Sequence, residues 1–107
     1  MKLRWTRRAE QQLAEIGRFI ARDKPGAARR WVEVLRRRAA EAAERPLVGR
    51  VVPELDREDI REVIVRSYRI VYRVGKGVVE VLTVFESHRL LRSALGDPGV
   101  PSEDREE

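Results

Sequence analysis

The side chains best equipped for chemistry are concentrated in the second half of the chain. Arg61, Arg66, Arg69, Arg73 and Arg89 accompany Tyr68, Tyr72 and His88. Guanidinium groups grip phosphate oxygens or neutralise the charge that develops on a phosphorus transition state. Phenols stack on bases or donate hydrogen bonds. His88 could pass a proton in ribonucleotide cleavage, where the RNA's own 2′-hydroxyl is the nucleophile and no metal is needed. The spacing also admits a purely structural reading. On an alternating strand Arg69 and Arg73 occupy the wet face while Tyr68 and Tyr72 fill the core face.

A second basic cluster, Arg29, Arg30, Arg36, Arg37 and Arg38, lies in the first half. It reads as a solvated helix face, a nucleic-acid surface or a docking site for an acidic partner. Trp5 and Trp31 suit core anchors between helix and sheet better than stacking platforms. Other chemistry is excluded. The chain has no Cys and one His, which removes thiol nucleophiles, disulfide scaffolds, Cys-based zinc sites and a triad with a spare base. Gly75-Lys76-Gly77 lacks the spacing of a phosphate-binding loop. Asp56-Arg57-Glu58-Asp59 reads as a solvated acidic loop, so neither a metal nor a cofactor is expected.

Length and charge set the frame for these groups. The 107 residues suit one domain, 42% hydrophobic and 38% charged. Residues 1–95 hold 22 basic and 13 acidic side chains, a net +9, whereas residues 96–107 hold one and five, a net −4. A basic domain over 1–95 with an acidic, flexible tail over 96–107 is the expected organisation. Such a body favours an acidic partner. Arg outnumbers Lys 20 to 3, which favours bidentate contacts to carboxylate or phosphate. No apolar run approaches the length of a membrane span, so the expected location is the cytoplasm.

The elements that position the polar groups follow from periodicity. Lys2-Leu3-Arg4-Trp5 alternates as a short strand, and Thr6 reads as the N-cap of an amphipathic helix over 7–22 carrying Leu13, Ile16 and Ile20. Gly17 inside it signals a close helix contact. Pro25 opens a second helix with the stripe Ala28, Trp31, Leu35, Ala39 and Ala42, and Pro46 ends it. Extended segments follow at 48–55, 60–66, 68–74 and 78–85, and a brief helix or turn at 88–95. The order is βααββββ: an α+β domain with an N-terminal helical hairpin packed on one face of an antiparallel sheet. Leu13, Ile16, Ile20, Trp31 and Leu35 should meet Ile70, Tyr72 and Leu82.

The ordered series of segments resembles the ParE/RelE superfamily of bacterial toxins. It runs from Trp5-Thr6, Leu13 and Phe19-Ile20 through Trp31, Gly49-Arg50 and Val52-Pro53-Glu54-Leu55. It continues with Ile60-Arg61-Glu62, Tyr68-Arg69-Ile70-Val71-Tyr72-Arg73-Val74 and Val81-Leu82-Thr83-Val84-Phe85. The Gly-Arg, Pro-Glu and Ile-Arg-Glu elements resemble the ParE branch more closely. The resemblance implies a type II toxin neutralised by a cognate antitoxin with an acidic flexible C-terminal segment, paired 1:1 and assembled into a heterotetramer through the antitoxin. ParE-type members inhibit DNA gyrase and need no catalytic residues. The RelE-type alternative is a ribosome-dependent mRNA endoribonuclease, in which Arg69 and Arg89 would bind phosphate and His88 would transfer the proton. A non-toxic binding module with this fold is the third reading. The terminal tyrosine of the RelE branch is missing, since no Tyr follows Tyr72. Arg29, Arg30, Arg36, Arg37, Arg61, Arg73 and Trp31 are the partner-binding candidates.

Overall fold

Local capping chemistry sets the first half of the molecule. In a computed structural model, which describes residues 1–87 and 91–95, strand β1 (Lys2–Trp5) leads into helix α1 (Arg7–Ala21). Thr6 Oγ1 accepts the Ala9 amide at 3.0 Å and donates to the Leu82 carbonyl at 3.2 Å. It therefore caps the helix and pins it to a strand that lies far along the chain. Pro25 takes the first position of helix α2 (Pro25–Glu44), where its missing N–H costs nothing. The helices meet closely at Gly17, where a methyl group would stand 3.1 Å from Val32 Cγ2.

The sheet contains β2 (Arg50–Val51), β3 (Ile60–Val65), β4 (Tyr68–Val74) and β5 (Val78–Glu86), and a short helix α3 (Leu91–Leu95) follows. Strand order is β1-β5-β4-β3-β2. The last four strands pair antiparallel as expected, but β1 adds parallel to β5 and makes the sheet mixed. The extended segment expected at 48–55 shrinks to two residues. A 3₁₀ turn (Pro46–Val48) precedes β2, and the amides of Leu55 and Asp56 both turn back to the Val52 carbonyl after it. Pro53 has no N–H to donate to a ladder, which ends the strand early. The β3–β4 connection is a two-residue turn, Arg66-Ser67, with Arg66 in the left-handed region at φ 54°.

Each face of the sheet has its own core. On the hairpin side Ala9, Leu13, Leu35 and Ala39 pack on Val65, Tyr68, Ile70, Val81 and Val84. Ala42 and Ala43 continue this layer over Tyr72 and Val79. Ile16 and Trp31 join it half-buried, whereas Ile20, near the end of α1, lies half-buried outside the cluster. Leu82 departs from expectation. It packs on the opposite face with Val52, Ile60, Val71, Phe85 and the α3 residues Leu91, Ala94 and Leu95. The cause is a bulge: Val71 pairs with Thr83 but Tyr72 with Val81, so Leu82 is the extra residue and alternation along β5 breaks there.

Beyond Trp5 the β1 side of β5 has no strand beside it among the described residues, and Gln12 of α1 fills the gap. Its Oε1 accepts the Val84 amide at 3.1 Å and the Thr83 hydroxyl at 2.7 Å, while Nε2 donates to the Ala94 carbonyl at 2.7 Å. One amide side chain thus joins α1, β5 and α3. His88, Arg89 and the acidic segment 96–107 lie outside the described residues.

Candidate functional site

Arg69, the residue best matched to phosphate chemistry, stands on the sheet face away from the hairpin, between Ile64 of β3 and Phe85 of β5. It is only 7% exposed. Its Nε donates to Glu62 Oε1 at 2.7 Å, and Nη1 and Nη2 donate to the two carboxylate oxygens of Glu54 at 3.0 and 3.2 Å. Nη2 also contacts Glu62 Oε1. The guanidinium carbon lies 5.1 Å from the centre of the Phe85 ring. Glu62 is fully buried, and its second oxygen accepts from Nε of Arg50. Two guanidinium groups and two carboxylates therefore close one neutral network, and a buried charge left unpaired would be costly. Burial works against the charge on Arg69, but the hydrogen bonds it donates to Glu54 and Glu62 outweigh it and raise its pKa above the ordinary value. In return the Arg69 hydrogen bond, despite opposing desolvation, holds the Glu54 carboxyl below the usual carboxylate range.

A second constellation forms at the start of β2. Tyr72 Oη donates to the Pro46 carbonyl at 2.7 Å and accepts the Gly49 amide at 3.0 Å. Arg61 Nη1 donates to the Gly49 carbonyl at 2.9 Å and its Nε to the Glu58 carbonyl at 3.1 Å. Burial raises the Tyr72 pKa above the ordinary phenol value, so the hydroxyl remains a donor. Arg73 belongs to a third group, in which the buried Glu80 carboxylate pairs with both Arg73 and Arg4.

The sequence-derived candidates therefore separate. Arg61, Arg69 and Arg73 are engaged within the fold, and Arg69 and Arg73 face buried carboxylates rather than water. Tyr68, raised in pKa by burial and then by Glu86, lies in the hairpin-side core 6.0 Å from the Trp31 ring. In the loop singled out for its acidic residues, Asp59 is tied to Arg57 at 2.7 Å. Among the described residues no group of three or more His, Cys, Asp or Glu is arranged to hold a metal.

The α2 arginines divide between two grooves. Arg29 and Arg36 line a 730 Å³ groove on the outer side of the hairpin, where Arg36 pairs with Glu10 at 2.8 Å and lies 5.1 Å from the Trp5 ring. Arg30 and Arg38 line a separate 520 Å³ groove between α2 and β3, together with Trp31 and Arg66. Arg37 is exposed. The carboxylates Glu54, Glu62 and Glu80 and the amide of Gln12 were not singled out by sequence reasoning. The two-residue turn at Arg66-Ser67 places Glu62 diagonal to Arg69 across the β3–β4 ladder, a register that no turn residue in the sequence announces.

No helix among the described residues is long and apolar enough to cross a membrane. Comparison with solved structures places the fold beside a chain of the chromosomal ParDE toxin–antitoxin system from P. aeruginosa, with a TM-score of 0.69 at 19% identity over 80% of this chain and 95% of that one. The E. coli toxin RelE, as a double arginine-to-alanine mutant in the free state, matches with a TM-score of 0.58 at 24% identity over 81% of this chain and 83% of that one. At the sequence level the protein is 38% identical over 90 residues to the putative toxin Y4kP of Sinorhizobium fredii, covering 82% of this chain and 90% of the relative. A family model described as the ParE toxin of the type II toxin–antitoxin system parDE matches residues 3–91, which span every element from β1 into α3. The chain belongs to the ParE toxin family of type II toxin–antitoxin systems.

Proposed function

We propose that this toxin acts in the cytoplasm by binding DNA gyrase, with no catalytic constellation of its own, and that a cognate antitoxin with an acidic segment neutralises it. The observation that carries this reading is the engagement of Arg69. A guanidinium that must meet a phosphate needs free donors, whereas here Nε, Nη1 and Nη2 all serve Glu62 and Glu54 beneath a mostly buried surface. The Gly-Arg, Pro-Glu and Ile-Arg-Glu elements add to it. Gly49 donates its amide to Tyr72 and accepts from Arg61, while Glu54 and Glu62 accept from Arg69 and Arg50 donates to Glu62. These residues build a rigid platform rather than an open reaction centre.

The test is induced expression of the full chain with parallel readout of gyrase supercoiling and of mRNA cleavage in the ribosomal A site. Inhibited supercoiling without site-specific cleavage is expected, and His88→Ala should leave toxicity nearly unchanged. A-site cleavage lost on Arg69→Ala in protein that circular dichroism reports as folded would establish the endoribonuclease reading instead. Coexpression with the product of the adjacent reading frame should give a 1:1 complex, assembled as a heterotetramer.

A further inference from the structure

The 3₁₀ turn between α2 and β2 is held more firmly than its own side chains require. Tyr72 of β4, fully buried, donates its hydroxyl to the Pro46 carbonyl at 2.7 Å and accepts the Gly49 amide at 3.0 Å. The Val48 amide bonds back to the Arg45 carbonyl at 2.9 Å, and Arg61 of β3 holds the Gly49 carbonyl at 2.9 Å. The backbone is thus tied to two strands, yet the side chains it presents take no part in the core. Leu47 is 71% exposed and Val48 59%. Single exposed apolar side chains are ordinary on a protein surface, whereas two in succession on a locked turn form a preorganised apolar knob. Basic groups flank it. Val48 shares a 290 Å³ cleft with Arg38, Arg45 and Arg50. Glu41 in the same cleft is taken by Arg38 at 3.3 Å. Arg45 makes no ion pair among the described residues, and the Arg50 side chain stays 64% exposed despite its bond to Glu62.

We infer that Leu47 and Val48 are the side chains with which the toxin engages gyrase, seated together in an apolar hollow of that protein with carboxylates at its rim; the inference deepens the gyrase reading above and rests on it. Shape argues for a folded partner. Interface anchors act by filling well-packed pockets from which water is excluded. A folded surface can offer such a pocket to a protruding pair, and an extended chain cannot. The braced turn has little freedom left to lose on docking, so more of the burial of both side chains appears as affinity. Charge argues against a second copy of this chain. A two-fold contact centred on the knob would bring Arg45 and Arg50 of both copies together, on bodies that each carry +9 over residues 1–95. The same arginines favour carboxylates on the partner.

The full chain carrying Leu47→Ser together with Val48→Ser tests the assignment, in a gyrase supercoiling assay and by direct binding to purified gyrase. Because neither side chain is buried, the urea midpoint should match that of the parent. The dose for half inhibition should rise at least tenfold and binding should weaken in step, while the complex with the product of the adjacent reading frame forms as before. Arg45→Glu should also raise the dose, most at low salt. Phe19→Ser removes a comparably exposed side chain (65%) from α1 and should leave inhibition within twofold. If the double variant fails to fold, Leu47→Ala and Arg45→Glu decide the matter. Inhibition by the folded double variant at the parent's dose overturns the assignment, as does an equal loss in Phe19→Ser. Loss of the antitoxin complex along with inhibition makes the knob an antitoxin contact, and a parent dimer that the substitutions dissolve makes it a self-contact; either result overturns the assignment and leaves the gyrase reading intact. A parent chain that neither binds gyrase nor inhibits supercoiling overturns that reading, and the assigned occupant with it.

Discussion

Gly49 and Tyr72 are in such close contact that only glycine fits: a methyl group on Gly49 would stand 2.4 Å from the phenol oxygen and 2.7 Å from the Glu62 carbonyl. The requirement is steric, since the backbone at Gly49 is extended with φ −76°. The contact lets the Gly49 amide reach the Tyr72 hydroxyl, which anchors the 3₁₀ turn and the start of β2 over β4.

Gly49→Ala should therefore destabilise the fold, because one of the two atoms it meets is backbone and cannot rotate away. Tyr72→Phe should cost about 1–3 kcal/mol by leaving the Gly49 amide and the Pro46 carbonyl short of a partner. Urea denaturation of both variants provides the measurement. A Gly49→Ala midpoint equal to that of the parent would contradict the contact.

Leu35 is completely buried in the hairpin-side core, in one cluster with Leu13 and Ile70. Its replacement by Ala should cost about 2–5 kcal/mol, the range for deleting a buried leucine side chain. Chemical denaturation monitored by tryptophan fluorescence would register the loss. A change below about 1 kcal/mol would mean that the helices do not rest on the sheet as described.

Arg69→Ala would strand the fully buried carboxylate of Glu62 with only the exposed Arg50 beside it. A loss of about 3–5 kcal/mol is expected, as for breaking one side of a buried ion pair. Arg69→Met combined with Glu62→Leu should be far milder, since neither charge remains to be buried. Comparing the two by thermal and urea unfolding separates pairing from packing. Equal losses would show that side-chain volume, not charge, sets the cost.

The network also predicts a pH signature. In the folded state the Arg69 hydrogen bond lowers the Glu54 pKa below its ordinary value of 4.5. A lowered carboxylate contributes stability that is present above its unfolded pKa and is lost as pH falls through the folded one. The stability difference between the parent and Glu54→Gln should be constant near neutrality and shrink below pH 4.5. A difference that grows on acidification would reverse the sign of the linkage.

Elements governed by local chemistry were readable from the residues. Thr6, Pro25 and Pro46 each act on their own neighbours, so both helices end within a residue or two of expectation. The hairpin contact at Gly17 and the core role of Leu13 and Leu35 follow from helical spacing in the same way. Features that depend on register were not readable. The turn Arg66-Ser67 carries no Gly or Asn to announce a left-handed residue, yet it decides that Glu62 rather than solvent faces Arg69. The bulge that turns Leu82 to the far side leaves no mark in Val81-Leu82-Thr83-Val84-Phe85, where apolar residues stand on both faces. The parallel pairing of β1 with β5 joins segments too far apart for any short pattern to report. At the candidate site the arginines were visible as a group, but their carboxylate partners were not, because an acidic residue inside a strand looks the same whether it faces water or a guanidinium.

The position of β5 has a consequence for synthesis. Among the described strands this one comes last in the sequence, yet it lies between β1, which comes first, and β4. A nascent chain that stops before Val78 leaves Thr6 without the Val81 and Leu82 carbonyls and Gln12 without the Val84 amide. Its helical hairpin then has no central strand to rest on. The long loop that must close before these contacts form makes assembly late and all-or-none. A fragment released before Val78 has no completed sheet.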